Sequence, residues 1–274
     1  MGQIDPDLSI VFLGAGNMAE AIVRGMLNST LCVPEQICVT DVNPNRVAWF
    51  REQLGVRGGV DNAAAVTDAD VVILAVKPQV LSEVLSDIHG TLRDTSLVIS
   101  IAAGVTMSTI RTGLFEGQRI IRVMPNTPCL VGKGVSALAA GDFVTETDLN
   151  LTESLMQATG IVLRVDESDL DAVTAVSGSG PAYYFYIVEA MLKAAEELGL
   201  APTVASRLVY GTIEGAAAML EEGGIPPSEL RNRVTSKGGT TAAAIRSLES
   251  DGVAEAMGRA MQAAWQRSKE LARD

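Results

Sequence analysis

The chain has 274 residues, a formal charge of −12, and a composition that is 47% hydrophobic and 4% aromatic. That length can bury a sizeable core and points to two domains, while the acidic balance argues against nucleic acid or an anionic membrane as a partner. No apolar run approaches the roughly 20 residues that span a bilayer, and a start containing Asp5 and Asp7 lacks the basic and apolar regions of a signal peptide.

Ile10 to Leu13 is a short apolar run that ends in Gly14-x-Gly16-x-x-Ala19 and passes directly into helix-forming sequence from Glu20 to Asn28. Strand, glycine turn and helix in that order are the setting in which such a fingerprint binds a dinucleotide. Gly14 makes the tight turn, Gly16 lets the backbone approach a pyrophosphate, and Ala19 allows close helix–strand packing. Gln36 to Thr40 is a second short strand ending at Asp41. An acidic residue about 20 positions past the glycines is where this fold holds the adenosine ribose. Asp41 therefore leans toward NAD, whereas the nearby Arg46 would accommodate a 2′-phosphate, and Asp41 is also placed to cap a helix ahead of Pro44.

Arg46 to Leu54 and Asp61 to Ala69 have helical composition. Val71 to Val76 is a continuous β-rich apolar run, as expected of a strand buried on both faces, and it stops at Lys77-Pro78. Val80 to Ile88 fits a crossover helix. Leu97 to Ile101 and Ile120 to Val123 are further buried strands, closed by Ala102-Ala103-Gly104 and by Met124-Pro125-Asn126-Thr127-Pro128. Ligands of open α/β sheets bind at the carboxyl ends of strands, so these loops should line the site.

Val135 to Ala139 and Ile161 to Val165 are expected strands flanking a helix from Glu146 to Ala158. The strand signal then ends. Ser177-Gly-Ser-Gly-Pro181 is expected to break the chain before a long helix from Ala182 to Leu198, with further helices over Thr203 to Glu221 and Gly252 to Arg273. Between these, Thr235 to Thr241 is a polar, glycine-rich loop leading into a helix. The layout predicts an α/β fold: an N-terminal Rossmann-like, mostly parallel sheet over 1–165, then an all-α domain over 166–274. Ala-rich faces on the later helices suit a subunit interface.

Cys32, Cys38 and Cys129 fit neither a disulfide framework nor a zinc pattern and read as buried thiols of a reducing cytoplasm. His89 is the only histidine, which excludes a multi-histidine metal centre, and no metal is expected. No histidine or carboxylate pair stands out as an acid–base unit. Consecutive glycines and hydroxyls in Ser236 to Thr241 expose backbone N–H groups at a helix start, which suits a carboxylate. Hydride reduction of a C=N bond fits these features, because an iminium brings its own proton.

Several motifs together resemble the pyrroline-5-carboxylate reductase family. They are Gly14-Ala-Gly-Asn-Met-Ala19, Ala75-Val-Lys-Pro-Gln79, Ala102-Ala-Gly104, Arg122-Val-Met-Pro-Asn-Thr-Pro128, Ser177-Gly-Ser-Gly-Pro-Ala-Tyr183 and Val234-Thr-Ser-Lys-Gly-Gly-Thr-Thr241. They span nearly the whole chain in family order. The resemblance implies reduction of L-1-pyrroline-5-carboxylate to L-proline with NADPH or NADH, by a homodimer or a higher homo-oligomer of dimers. It places the pyrophosphate on Gly14, Ala15, Gly16, Asn17, Met18 and Ala19, and the ribose near Asn62. Ala75, Val76, Lys77 and Pro78 would line the cofactor groove, with Ala102 and Ala103 at the nicotinamide end. Substrate would be held by Gly238, Gly239, Thr240 and Thr241 with Glu167 nearby, Thr241 hydrogen-bonding the ring nitrogen.

Three positions depart from the family pattern. Lys237 stands where proline is usual, Gly224 where relatives can carry an acid, and Asp41 is less typical of an NADPH enzyme. A 3-hydroxy-acid dehydrogenase shares the two-domain plan, and Lys193 lies on a helix like the one carrying that class's catalytic lysine. The Ser-Gly-Ser-Gly-Pro-Ala-Tyr lead-in is wrong for it. A non-catalytic nucleotide- or pyridoxal-phosphate-binding protein is the remaining alternative.

Overall fold

A computed structural model of the protein describes residues 4–271. The described residues form two compact units, one of 4–179 with 264–271 and one of 180–263. The first unit is built on an eight-stranded sheet of order β3-β2-β1-β4-β5-β6-β7-β8. The strands are β1 (Ile10–Leu13), β2 (Ile37–Thr40), β3 (Arg57–Gly59), β4 (Val71–Leu74), β5 (Leu97–Ser100), β6 (Arg119–Met124), β7 (Gly134–Ala140) and β8 (Gly160–Arg164). All neighbours are parallel except β6 and β7. The first six carry the Rossmann order, with the chain reversing direction across the sheet between β1 and β4.

The helices are α1 (Asn17–Asn28), α2 (Pro44–Leu54), α3 (Asn62–Val66), α4 (Leu81–Ile88), α5 (Met107–Arg111), α6 (Glu146–Gln157), α7 (Leu170–Val173), α8 (Gly180–Glu197), α9 (Pro202–Glu221), α10 (Pro227–Arg233), α11 (Thr240–Ser250) and α12 (Val253–Leu271). The period-2 alternation of strands divides the core of the first unit into two layers. Ile10, Phe12 and Ile73 face one side, packed with Ile22 and Met26 of α1, Phe50 of α2 and Leu155 of α6. Val11, Leu13, Val72 and Leu74 face the other, packed with Val66, Leu85, Ile88 and Ile110. Helices on both faces explain why these strands are apolar at every position. Each such side chain contributes roughly 1.5–3 kcal/mol by leaving water.

The second unit is helical. Gly199, at φ +92°, ends α8 in the left-handed region, and its N–H donates to Glu196 O at 2.9 Å. Tyr184, Phe185, Leu208 and Met219 on α8 and α9 are all more than half exposed. No helix among the described residues is long and apolar enough to cross a membrane.

Several sequence expectations are corrected. β3, with the composition Arg-Gly-Gly, carries no strand signal and is formed by edge pairing to β2. Both α5 and α10 were not anticipated. Ser177 to Gly180 does not break the chain: a wide helical turn over Thr174–Gly178 runs on toward α8, and Pro181 is tolerated in its first turn. Gly178 serves packing instead, since a Cβ there would lie 2.5 Å from Met124 Cε. The wide turn belongs to the first unit, where Leu170 and Ala175 are buried. Of the helix expected to reach Arg273, residues 272–274 lie outside those described.

Candidate active site

The strand register fixes the frame of the site. Leu13 pairs with Thr40 on one side and Leu74 on the other, so the loops after β1, β2 and β4 emerge together at one edge of the sheet. Gly14 N–H donates to Thr40 O at 2.8 Å, and Ala75 N–H donates to Leu13 O at 2.8 Å. A groove of about 520 Å³ opens there, lined in part by Gly14, Gly16, Thr40, Asp41, Asn62, Ala75, Val76 and Lys77. It lies at the switch point where such sheets bind their ligands.

The two glycines of the fingerprint have different reasons to be glycine. Gly14 sits at φ +107°, and a Cβ there would come within 2.7 Å of Ala75 O, so the fold itself demands it. Gly16 has an ordinary φ of −73°, and a Cβ on it would meet nothing within 4 Å. The empty space before Gly16 fits a pyrophosphate laid against the first turn of α1, whose opening N–H groups lack intrahelical acceptors. Ala19 is fully buried and packs beneath the loop. Asn17 and Met18 stand in that first turn.

Ala15 has another use. Its N–H donates to Asp41 Oδ2 at 2.8 Å, so this amide serves the loop's own geometry rather than standing open to a phosphate. Asp41 Oδ1 accepts from Asn43 N–H at 2.8 Å. The helix cap expected of Asp41 belongs instead to Asn43, whose side chain accepts from Asn45 N–H at 3.0 Å. Arg46 is held away as well. Its Nε donates to Ala15 O at 2.9 Å, its Nη2 pairs with Glu20 at 3.0 Å, and its guanidinium lies over the Trp49 ring at 4.7 Å.

Asn62, the first residue of α3, accepts from Thr40 Oγ1 through Oδ1 at 2.7 Å and donates to Asp87 at 3.3 Å. Its amide is thereby fixed at the groove wall. Thr40, Glu83, Val84 and Asp87 also line the groove and were not singled out from sequence. The spacing of Glu83 and Asp87, four apart on the crossover helix, was the available signal. Pro78 opens a short helical turn over Pro78–Val80. Ala102 is buried and Ala103 half-buried beyond β5, at the same edge of the sheet.

Glu167 has a structural engagement that its sequence context did not disclose. Its Oε1 accepts from Met107 N–H at 2.7 Å and from Arg122 Nη1 at 2.8 Å. It thus anchors the start of α5 and neutralises a guanidinium only 10% exposed. Asn126 ties the loop after β6 to two other segments, accepting from Val135 N–H at 2.8 Å and donating to Ser177 O at 3.1 Å.

In the second unit, Gly238 adopts φ +77° and Gly239 is the N-cap of α11. Gly239 N–H donates to Ser236 O at 3.0 Å, and Thr240 and Thr241 form the first turn of the helix. Two adjacent hydroxyls and the opening amides of an eleven-residue helix stand together there, the kind of donor set that suits an anion. Lys237 is exposed, as is Lys193 on α8. Among the described residues, no group of three or more His, Cys, Asp or Glu is placed to hold a metal ion.

Fold and groove together are those of a dinucleotide-binding protein. Comparison with known proteins narrows the class. Residues 167–271 match a family model for pyrroline-5-carboxylate reductase dimerisation, and residues 9–104 match one for NADP oxidoreductase, coenzyme F420-dependent. The chain is 44% identical to the pyrroline-5-carboxylate reductase of Corynebacterium melassecola over 96% of its length and 98% of that protein's. It is 43% identical to that of Methanosarcina acetivorans, over 96% of this chain and 97% of the other. Among solved structures, the pyrroline-5-carboxylate reductase of Coxiella burnetii matches with TM-score 0.90 and 43% identity, covering 96% and 98% of the two chains. The Plasmodium falciparum pyrroline carboxylate reductase, with NADP bound, matches with TM-score 0.89 and 28% identity, over 99% and 100%. The chain belongs to the pyrroline-5-carboxylate reductase family.

Proposed function

We propose that the chain reduces L-1-pyrroline-5-carboxylate to L-proline, the last step of proline biosynthesis, with the dinucleotide held in the groove at Gly14–Ala19 and the substrate at Gly238–Thr241. The observation that carries the cofactor half is the open space before Gly16 at the sheet's switch point. On this reading 1–165 is the dinucleotide-binding domain and 166–274 the helical domain for substrate and dimerisation.

When bound, the reduced nicotinamide supplies a hydride, the chemistry of its class. The residues of the chain contribute orientation and charge placement. First-turn amides of α1 face the pyrophosphate, Asp41 and Asn62 hold the adenosine ribose, and Ala75 to Pro78 with Ala102 and Ala103 shape the path toward the nicotinamide. The substrate carboxylate rests on the amides of Gly238, Thr240 and Thr241 and the Thr240 hydroxyl, the Gly239 amide being bonded to Ser236 O. Thr241 hydrogen-bonds the ring nitrogen, which holds the iminium carbon in place and accompanies the change at nitrogen from iminium to amine. Glu167 supports the first unit's part of the site by holding Arg122 and the start of α5. No acid–base histidine is required, because the iminium arrives protonated.

Exposed apolar side chains on α8 and α9 support assembly as a homodimer or a higher oligomer of dimers. Free Cys32, Cys38 and Cys129 support a reducing, cytoplasmic location. Burial pushes the Cys32 thiol up to about 11, so it is inert at neutral pH.

The test is turnover of L-1-pyrroline-5-carboxylate with dinucleotide oxidation and proline both quantified. Stoichiometric proline is expected; none with either NADH or NADPH would remove the assignment.

A further inference from the structure

The wall of the groove that would meet the adenosine ribose carries a choice between the two nicotinamide dinucleotides. We propose that the protein takes NADH in preference to NADPH, and that Asp41 is the residue that sets this choice. The inference rests on the dinucleotide occupying the Gly14–Ala19 groove as described above.

NADH and NADPH differ by a phosphate on the adenosine 2′ oxygen. A ribose diol has two hydroxyl donors; the 2′-phosphate is an anion with acceptors only. The structure presents the first of these with a fixed acceptor. Asp41 follows β2 at the groove, and its carboxylate is held by two backbone donors, Ala15 N–H on Oδ2 and Asn43 N–H on Oδ1, each at 2.8 Å. Each carboxylate oxygen has lone-pair capacity beyond one such bond, so both can accept from hydroxyls while neither can donate. As an aspartate carboxylate, the side chain puts a negative charge at this point of the wall.

The side chain that would offset that charge is committed elsewhere. Arg46, the cation nearest in sequence, donates to Ala15 O and pairs with Glu20 at 3.0 Å. Its guanidinium is also stacked over Trp49 and Phe50, at 4.7 and 5.2 Å. Turning it to a 2′-phosphate would leave Glu20 to Arg24 alone and forfeit both ring contacts. The remaining charges of the groove point the same way. Its lining carries the carboxylates of Asp41, Glu83 and Asp87 against one ammonium, Lys77. A site selective for the extra phosphate would show the opposite balance.

The experiment measures dissociation constants for NADH and NADPH by titration calorimetry without substrate, and kcat/KM for both with L-1-pyrroline-5-carboxylate. The intact protein should bind NADH at least about tenfold more tightly than NADPH, with kcat/KM ordered likewise. Asp41→Ser should move the ratio of dissociation constants toward NADPH by about tenfold or more. Asp41→Asn, which retains an acceptor for Ala15 N–H while giving up the one for Asn43 N–H, should move it in the same direction. Equal or tighter NADPH binding by the intact protein overturns the inference, as does an unchanged ratio in a folded Asp41→Asn variant. Those outcomes with active turnover leave the proposed reaction standing. Absence of turnover with both dinucleotides would instead remove the reaction itself.

Discussion

The groove of the first unit and the glycine–threonine loop of the second are both built on a glycine-rich turn before a helix, yet they are prepared to different degrees. In the groove, side-chain hydrogen bonds fix Asp41 to Ala15 and Asn62 to both Thr40 and Asp87. In the loop, a backbone turn from Gly239 to Ser236 sets the shape, while Thr240 is exposed and Thr241 half-buried. A prepared site spends little ordering entropy when its ligand binds, and an open one relies on what packs against it. On the proposed reading that cover is a second copy of the chain.

Substitutions at the two sites should separate accordingly. The largest effect is expected at the open loop. Thr241→Ala should lower kcat by about a hundredfold while the dinucleotide dissociation constant stays within about twofold. Steady-state kinetics beside a dinucleotide titration checks this, and an unchanged kcat removes Thr241 from the reaction.

Within the groove, the two glycines offer the sharper contrast. Gly14→Ala puts a Cβ 2.7 Å from Ala75 O at a positive φ and should cost about 1–3 kcal/mol of stability. Gly16→Ala meets nothing within 4 Å, so its stability should stay within about 0.5 kcal/mol. On the proposed reading its dinucleotide affinity should nevertheless fall about tenfold or more, because the methyl enters the space assigned to the pyrophosphate. Thermal melts paired with titrations read both quantities.

Glu167 tests where structural support ends and substrate recognition begins. Glu167→Gln weakens the pair with Arg122, and because Glu167 is 36% exposed the expected cost is about 1–2 kcal/mol, below that of a fully buried pair. A kcat/KM loss larger than the drop in melting temperature explains would assign Glu167 a direct substrate contact.

The smallest effect lies outside both sites. Burial raises the Asp148 pKa, but the Thr145 hydroxyl and amide together with Arg119 outweigh it and hold the carboxyl below its ordinary value. A folded-state pKa below the unfolded one means that Asp148 contributes stability above about pH 4 and loses it as the pH falls further. The melting-temperature gap between the parent and Asp148→Asn should therefore be about constant near neutrality and narrow below about pH 4.

Strands buried on both faces were the most legible part of the fold. Val71–Leu74 and Leu97–Ser100 are apolar throughout because helices cover each side. β3 was illegible because Arg57, Gly58 and Gly59 have no β propensity and owe their conformation to pairing with Cys38, Val39 and Thr40. Ser177 to Gly180 misled because glycine reads as a breaker, whereas Gly178 is small to make room for Met124. At the site, Gly14, Gly16 and the threonine loop were legible as motifs. What Asp41 holds was not: its bonds to Ala15 and Asn43 are long-range or conformational facts that no spacing encodes. Nor was the commitment of Arg46 to Glu20 and Ala15, which changes its meaning from a phosphate ligand to a support of the glycine turn.

The most direct test of the account is the stoichiometry of proline formed from L-1-pyrroline-5-carboxylate to dinucleotide oxidised, in parallel reactions with NADH and NADPH. One proline per dinucleotide in either reaction is the predicted result. Dinucleotide binding in the groove without any proline formed would contradict it.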